Sequence, residues 1–212
     1  MTHLDIASLV RAEAKTDPFP YIIVQNFLRR EPLRRVIDAF PHIKAGSYPL
    51  EAVTLPHSLG EVINELESAE FERTIEEKFG VELSGRPKMY SLRGYCRATD
   101  GKIHTDSKDK IITVLLYLND TWHHQGGRLR LLRNNYDLEA FADEVPPDNG
   151  TLLVFKCVEN SWHGHDMFEG VRRSIQMNWM VSDSKRSFHR VRHRLSAAIK
   201  RVTLNLERRK TL

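Results

Sequence analysis

The sequence has few of the features that mark secreted, membrane or disordered proteins. It contains two cysteines, Cys96 and Cys157, too few for a disulfide framework and suited to a reducing compartment. No apolar run approaches the roughly 18 residues of a membrane-spanning helix, and the charged N-terminus lacks a secretory apolar segment. With 41% hydrophobic and 28% charged residues, the 212-residue chain is typical of one globular domain. We therefore predict a cytoplasmic protein.

Positive charge is concentrated at the C-terminal end. Residues 184–212 hold ten Lys or Arg and a single acid, Glu207, whereas the rest of the chain holds more acids than bases. The formal net charge of +4 and the pI near 9.1 therefore describe the tail. A nucleic-acid reader usually carries its basic stripe on the fold itself, so we do not expect nucleic acid as the main partner.

The basic tail has the spacing of an amphipathic helix. Its apolar residues follow one helix face, with arginines opposite: Val191, Leu195, Ile199, Val202 and Leu206. We predict a helical extension over 184–212 and leave three uses open. The stripe packs on the body or on a second subunit in a homodimer, residues 185–210 contact an anionic membrane surface peripherally, or, least favoured, the helix binds nucleic acid.

The first part of the body is predicted to be mostly helical. The run Tyr21–Val24 is rich in β-branched residues and predicts a strand. Apolar residues recur at helical intervals over 29–40 and again over 60–80. The second stretch is one long helix or two short ones, ended by Gly80.

From Lys88 onwards the pattern changes to short strands. Turn clusters such as "EVPPDNG" separate five segments rich in β-branched and aromatic residues: Met89–Arg97, Ile111–Leu118, Arg128–Leu132, Thr151–Cys157 and Arg172–Val181. Such strands predict an antiparallel sandwich or barrel. We predict an α+β fold with a mainly β core, in one domain over 1–183, with helical support from 1–87 and the β core from 88–183.

One group of residues predicts a metal site. His104 and Asp106 are two positions apart just before a strand, so their side chains point to the same side of an extended chain. A second histidine, His163 or His165, precedes the last predicted strand. Two histidines and one carboxylate on one face of an ion leave three coordination positions open, as in non-haem Fe(II) oxygenases.

An iron oxygenase that uses 2-oxoglutarate also needs a cation for the distal carboxylate of that co-substrate. Arg172 or Arg173, on the strand after His163, offers a planar guanidinium for bidentate binding. Arg172 is favoured because Ser174 shares its strand face. Arg173 shares its face with apolar residues.

Several motifs occur together in the order that a known family uses. "HTD" at 104–106 is followed by "LLYLN" at 115–119, Trp122, "GGRL" at 126–129, and then His163 with "GVRRSIQMNW" at 170–179. Over roughly 18–181 the sequence resembles the iron(II)/2-oxoglutarate-dependent dioxygenases, in particular the prolyl-4-hydroxylase-like branch. The resemblance implies a double-stranded β-helix, a jelly-roll of cupin type, with N-terminal supporting helices.

The resemblance also implies roles for individual residues. His104, Asp106 and His163 match the iron ligands, and His163 is preferred to His165 because its spacing to the arginines is closer to the family pattern. Tyr117 matches a tyrosine that binds the 2-oxoglutarate tail, and Tyr95 one that lines the co-substrate pocket. For both tyrosines an ordinary place in a strand is an equal alternative.

The activity implied is hydroxylation of a C–H bond, with Fe(II) as cofactor, 2-oxoglutarate and O2 as co-substrates, and ascorbate as a further candidate cofactor. The substrate is a small molecule or a peptidyl residue. Bases near the motif hint at an anionic substrate, although solvated surface charges explain them better: Arg93, Arg97, Lys102, Lys108, Lys110, Arg128 and Arg130. Two alternatives remain, a His/Asp metal-dependent hydrolase and a non-catalytic metal-binding β-barrel module.

Overall fold

The computed structural model describes residues 2–44 and 46–182; the predicted tail helix over 184–212 lies outside them. The N-terminal part supplies the helices α1 (Ile6–Arg11), α2 (Arg30–Ala39), α3 (His57–Leu66) and α4 (Ala69–Phe79), together with a 3-10 turn at Leu50–Ala52. The stretch predicted as one helix or two is two. Ser68 separates them, because its side chain accepts a hydrogen bond from the Phe71 N–H and so begins α4. Gly80, in the left-handed conformation, ends α4 as predicted.

The strands form two antiparallel sheets. In chain order the strands are β1 (Tyr21–Val24), β2 (Ser47–Pro49), β3 (Lys88–Cys96), β4 (Lys110–Tyr117), β5 (Leu129–Leu132), β6 (Phe141–Val145), β7 (Leu152–Lys156), β8 (His163–Gly164) and β9 (Gly170–Met180). The larger sheet has the order β1-β7-β4-β9-β3-β2 and the smaller the order β6-β5-β8. The architecture is the double-stranded β-helix that the motifs imply.

Four elements were not predicted: α1, β2, β6 and β8. Each is short, and the most informative case is β6. The predicted turn "EVPPDNG" begins too early, because Glu144 and Val145 belong to β6 and pair with Arg130 and Leu129. This strand is on the edge of the small sheet and mostly half-exposed, so it lacks the alternation that marks a strand in sequence.

The larger sheet separates the protein's main core from a cavity. On β4, Ile112, Val114 and Leu116 pack with the helices in the main core, and on β9 Ile175, Met177 and Trp179 do the same. On the opposite face of the same two strands, the residues that line the cavity include Thr113, Tyr117, Arg172 and Ser174. Successive side chains of a strand point to opposite faces of the sheet. One face of the larger sheet therefore packs in the main core, and the other lines the cavity.

In the described part of the chain, no helix has the length and apolar character needed to span a bilayer.

Candidate metal centre and co-substrate pocket

The predicted metal ligands are brought together between the two sheets. His104 and Asp106 lie in the connection between β3 and β4, and His163 begins β8 of the smaller sheet. One ligand atom from each residue lies within 4.8 Å of those of the other two. A His-Asp-His group of this kind can hold a metal ion on one face.

Backbone carbonyls fix the orientation of both imidazoles. Nδ1 of His104 is 2.8 Å from the carbonyl oxygen of Lys102, and Nδ1 of His163 is 2.9 Å from that of Ser161. A carbonyl can only accept a hydrogen bond, so Nδ1 carries the hydrogen in each ring. The lone pair of Nε2 is therefore free for a metal, and the ring is held in place by the bond that its other nitrogen makes.

The charge states of the group also suit a cation. Burial lowers the pKa of His163 to about 4, so this imidazole is neutral at physiological pH. Burial alone would raise the pKa of Asp106, but the ammonium of Lys110, 2.8 Å away, and a hydrogen bond from Thr113 lower it overall. The group thus presents neutral imidazole and an ionised carboxylate, the forms in which these side chains bind metals.

A cavity of about 290 Å³ extends from the three ligands along the inner face of the larger sheet. Arg172 lies in its wall and is buried, with Nε donating to the carbonyl oxygen of Gly127 at 2.8 Å. Gly127 can hold that carbonyl in place because its φ is +78°, and a Cβ there would lie 2.9 Å from the ring of Trp122. This explains the glycine of "GGRL" and the tryptophan that precedes it.

Three buried polar atoms in this wall have no hydrogen-bond partner among the described residues. They are Nη2 of Arg172, the hydroxyl of Tyr117 and the hydroxyl of Ser174. Ser174 is paired with Tyr117 in the β4–β9 register, and Arg172 is two residues along the same face. Buried polar groups are normally satisfied, and a carboxylate accepts several hydrogen bonds. The three atoms fit the distal carboxylate of a keto acid bound at the metal.

The structure does not bring Tyr95 or Arg173 to this cavity. The β3–β9 register shifts between Arg93 and Tyr95, so the alternation of β3 reverses there. Tyr95 points outward, and its hydroxyl is 3.5 Å from Glu169. Arg173 is on the opposite face of β9 from Arg172, and its backbone N–H donates to Asn119, the asparagine of "LLYLN".

His165, the alternative ligand, lines the cavity but is not part of the metal-binding group. Its Nδ1 contacts the carbonyl oxygen of Asp166, and its Nε2 is 3.9 Å from Sγ of Cys96. Burial, and then the charge of Arg172, lower its pKa to about 4. His165 is therefore a neutral residue of the cavity wall.

Several cavity residues were not predicted. Thr113 donates to Asp106 and accepts from Nδ2 of Asn178 at 2.7 Å, which links a metal ligand to the middle of the larger sheet. Gln176 continues this polar row. The sequence did carry a signal for these residues, because every second residue of β9 from Arg172 to Asn178 is polar. In a strand of a β core, such alternation indicates that one face of the sheet borders a polar space.

Residues 90–181 match the family model of the 2OG-Fe(II) oxygenase superfamily. This range contains His104, Asp106 and His163 and the cavity wall around Arg172. Residues 90–181 therefore belong to the 2OG-Fe(II) oxygenase superfamily. Members of this superfamily are oxidoreductases that use Fe(II) and 2-oxoglutarate with O2, and the His-Asp-His group is in keeping with that chemistry. No curated protein matches the sequence.

Solved structures similar to this chain include a prolyl-4-hydroxylase from Pseudomonas putida, with a TM-score of 0.58 and 20% identity over 84% of this chain and 93% of that one. A Trichoplax adhaerens prolyl hydroxylase in complex with a hypoxia inducible factor peptide fragment has a TM-score of 0.50 and 17% identity over 86% and 91%. HygX from Streptomyces hygroscopicus, with nickel and 2-oxoglutarate bound, has a TM-score of 0.52 and 10% identity over 76% and 81%. At these identities the likeness shows the fold.

Proposed function

We propose that this oxygenase is a hydroxylase that inserts one oxygen atom of O2 into a C–H bond of an organic substrate. The other oxygen atom enters 2-oxoglutarate, which leaves as succinate and CO2. The observation that carries the proposal is the group of unpartnered buried atoms on Arg172, Tyr117 and Ser174, in the same cavity as the metal-binding group. A metal ion held by His104, Asp106 and His163 would not give these three atoms a hydrogen-bond partner, whereas the carboxylate of a co-substrate would.

Each residue has a distinct task in this reaction. His104, Asp106 and His163 would hold Fe(II), which supplies the redox chemistry. Arg172 would bind the distal carboxylate of 2-oxoglutarate, and Tyr117 and Ser174 would donate hydrogen bonds to it. The Gly127 carbonyl orients Arg172 from behind. The chain therefore contributes binding and orientation, while 2-oxoglutarate and the C–H bond of the substrate would each supply two of the four electrons that reduce O2.

The carboxylate of Asp106 favours hydroxylation over halogenation. A halogenating relative needs an open position at the metal for a halide, whereas Asp106 is present here and is held by Lys110 and Thr113. The proposed primary substrate is a small molecule or a peptidyl residue, and the cavity of about 290 Å³ is at the lower end of ligand pockets. After 2-oxoglutarate has bound, only a small group of the substrate fits beside it.

The test combines a binding and a turnover measurement. Anaerobic addition of 2-oxoglutarate to the Fe(II)-loaded protein is expected to produce a weak visible charge-transfer band, and admission of O2 is expected to yield succinate in step with lost 2-oxoglutarate. Stoichiometric zinc in the purified protein, with no band and no succinate, would favour the hydrolase instead. A band without succinate for any substrate would favour the non-catalytic module.

A further inference from the structure

A second arginine faces the cavity, and the binding of 2-oxoglutarate leaves it unused. Arg93 is on β3, where the strand register places it beside Ser174 of β9 on one side and Ser47 of β2 on the other. Arg93, Ser47 and Ser174 all line the cavity that contains the metal-binding group. Arg93 therefore extends the row of polar side chains from Tyr117 and Ser174 toward the β2 edge of the sheet.

Within the described residues, the guanidinium of Arg93 makes no hydrogen bond and no ion pair. The nearby carboxylates are engaged elsewhere: Asp100 accepts from the backbone and side chain of Arg97, and Asp106 is held by Lys110. Burial, and then the positive charge of Arg172, lower the pKa of Arg93. A cation in a cavity wall without a partner is costly, so the unpaired guanidinium of Arg93 and the unpartnered Nη2 of Arg172 fit anionic ligands.

The co-substrate accounts for one arginine only. Its distal carboxylate is matched by Arg172 with Tyr117 and Ser174, and its keto-acid end belongs at the metal. Arg93 is on the far side of Ser174 from Tyr117. Its neighbours in the cavity wall include the polar residues Ser47 on β2 and Ser91 two positions earlier on β3, in contrast to the apolar Leu129 and Phe155 that also line the cavity.

We propose that Arg93 binds an anionic group, carboxylate or phosphate, of the primary substrate and so determines specificity. This inference rests on the proposed function, because it assigns Arg172 to 2-oxoglutarate. A planar guanidinium binds either kind of oxyanion through two parallel hydrogen bonds. The anion would fix the substrate at the β3 side of the cavity, with the carbon to be hydroxylated directed at the metal-binding group.

The first experiment measures binding without turnover. Under nitrogen, the full chain is loaded with Mn(II) and saturating 2-oxoglutarate, and proton relaxation is measured for probe pairs that differ only in charge. The pairs are N-acetylglycine with N-acetylglycinamide, N-acetylproline with N-acetylprolinamide, and methyl phosphate with methanol. At least one anion is expected to bind about tenfold more tightly than its neutral partner, which is typical for a charge-assisted hydrogen bond. The first two pairs report a carboxylate site, and the third a phosphate site.

Variants assign the preference to Arg93. Arg93→Gln is expected to remove it, and Arg93→Lys, which keeps the charge but loses the planar fork, to retain part of it. Arg97→Gln is the matched control, because Arg97 is exposed near the end of the same strand and pairs with Asp100. It is expected to behave as the wild type. The melting temperature of each variant shows whether it is folded, and Arg93→Lys keeps the test informative if Arg93→Gln does not fold.

A second measurement separates the two proposals. The charge-transfer band with Fe(II) gives the 2-oxoglutarate affinity, which is expected to be unchanged in Arg93→Gln. If this variant loses 2-oxoglutarate affinity as Arg172→Gln does, Arg93 belongs to the co-substrate and the assignment is wrong. It is also wrong if wild-type protein forms the band but shows no anion preference. If wild-type protein forms no charge-transfer band, the proposed function itself is wrong, and the assignment of Arg93, which rests on it, is wrong as well.

Discussion

His104 and His163 are joined by two reciprocal backbone hydrogen bonds. The N–H of His104 donates to the carbonyl of His163 at 3.0 Å, and the N–H of His163 donates back at 2.9 Å. Their ring centroids are 4.3 Å apart. The loop that carries "HTD" is thereby tied to β8 of the smaller sheet. Two histidines of the metal-binding group that are distant in sequence are thus positioned by backbone hydrogen bonds, which is the condition for a preorganised site.

This arrangement predicts which histidine is a ligand. His163→Gln is expected to lower Fe(II) affinity by more than 100-fold, because even the loss of a residue that only supports a ligand costs roughly 10–100-fold. His165→Gln is the matched control and is expected to bind Fe(II) within about threefold of wild type. Equilibrium dialysis with metal analysis measures both. Equal losses in the two variants would contradict the assignment.

Arg172 and Arg173 form a second matched pair. Arg172→Gln removes a charge-assisted interaction, worth about 1.5–3 kcal/mol, from the 2-oxoglutarate site. The dissociation constant for 2-oxoglutarate is expected to rise about 10–100-fold. Arg173→Gln is expected to leave it unchanged, since Arg173 is on the other face of β9. Anaerobic titration of the charge-transfer band gives the constants. A loss in Arg173→Gln alone would reverse the choice between them.

The parts of the site that depend on local spacing could be predicted from the sequence. His104 and Asp106 are on one face because they are two apart, and the preference for Arg172 followed from its alternation with Ser174. The residues alone left the second histidine open between His163 and His165, and only the family resemblance favoured His163, since the backbone bridge between His104 and His163 is a long-range contact.

The parts that depend on strand pairing could not be predicted. Tyr95 was expected at the pocket because the family resemblance implies a tyrosine there, but the register shift between Arg93 and Tyr95 turns its side chain outward. Arg93 was one of seven bases for which solvated surface charge was favoured over a role with an anionic substrate. Its strand neighbours Ser47 and Ser174 come from distant segments, so its place in the cavity could not be predicted from local sequence. The fold as a whole was easier to predict from the sequence, because the long helices and most strands show a helical or alternating pattern of apolar residues.

The glycine behind Arg172 can be tested by comparison with another glycine. Gly127→Ala forces a side chain into the left-handed region and against Trp122, so it is expected to destabilise the fold by about 1–3 kcal/mol and to weaken 2-oxoglutarate binding severalfold. Gly85→Ala has a similar φ of +71° but no atom within 4 Å of the new Cβ. It is expected to cost about 1 kcal/mol and to leave 2-oxoglutarate binding intact. Urea unfolding and the anaerobic titration measure the two effects. Weakened binding in both variants would show that general destabilisation is the cause.

The buried histidines predict that the metal-free protein loses stability in mild acid. Burial lowers the pKa of His163 and of His165 to about 4, below the ordinary value of 6.5. Below pH 6.5 these two imidazoles become protonated in the unfolded chain but stay neutral in the native state. The free energy of unfolding therefore falls as the pH drops from about 6.5 toward 4. Above pH 6.5 both states are neutral at these residues and the effect vanishes.

The measurement is urea unfolding between pH 6.5 and 5 in the presence of a chelator, a window above the titration of most carboxylates. Each histidine is expected to contribute up to about 1.4 kcal/mol per pH unit. His163→Gln and His165→Gln are each expected to reduce the slope by about this amount, and the double variant by about twice as much. An unchanged slope in the double variant would mean that both imidazoles become protonated in the native state. Their neutral form, which leaves His163 free to bind a metal, would then have to be imposed by the metal itself.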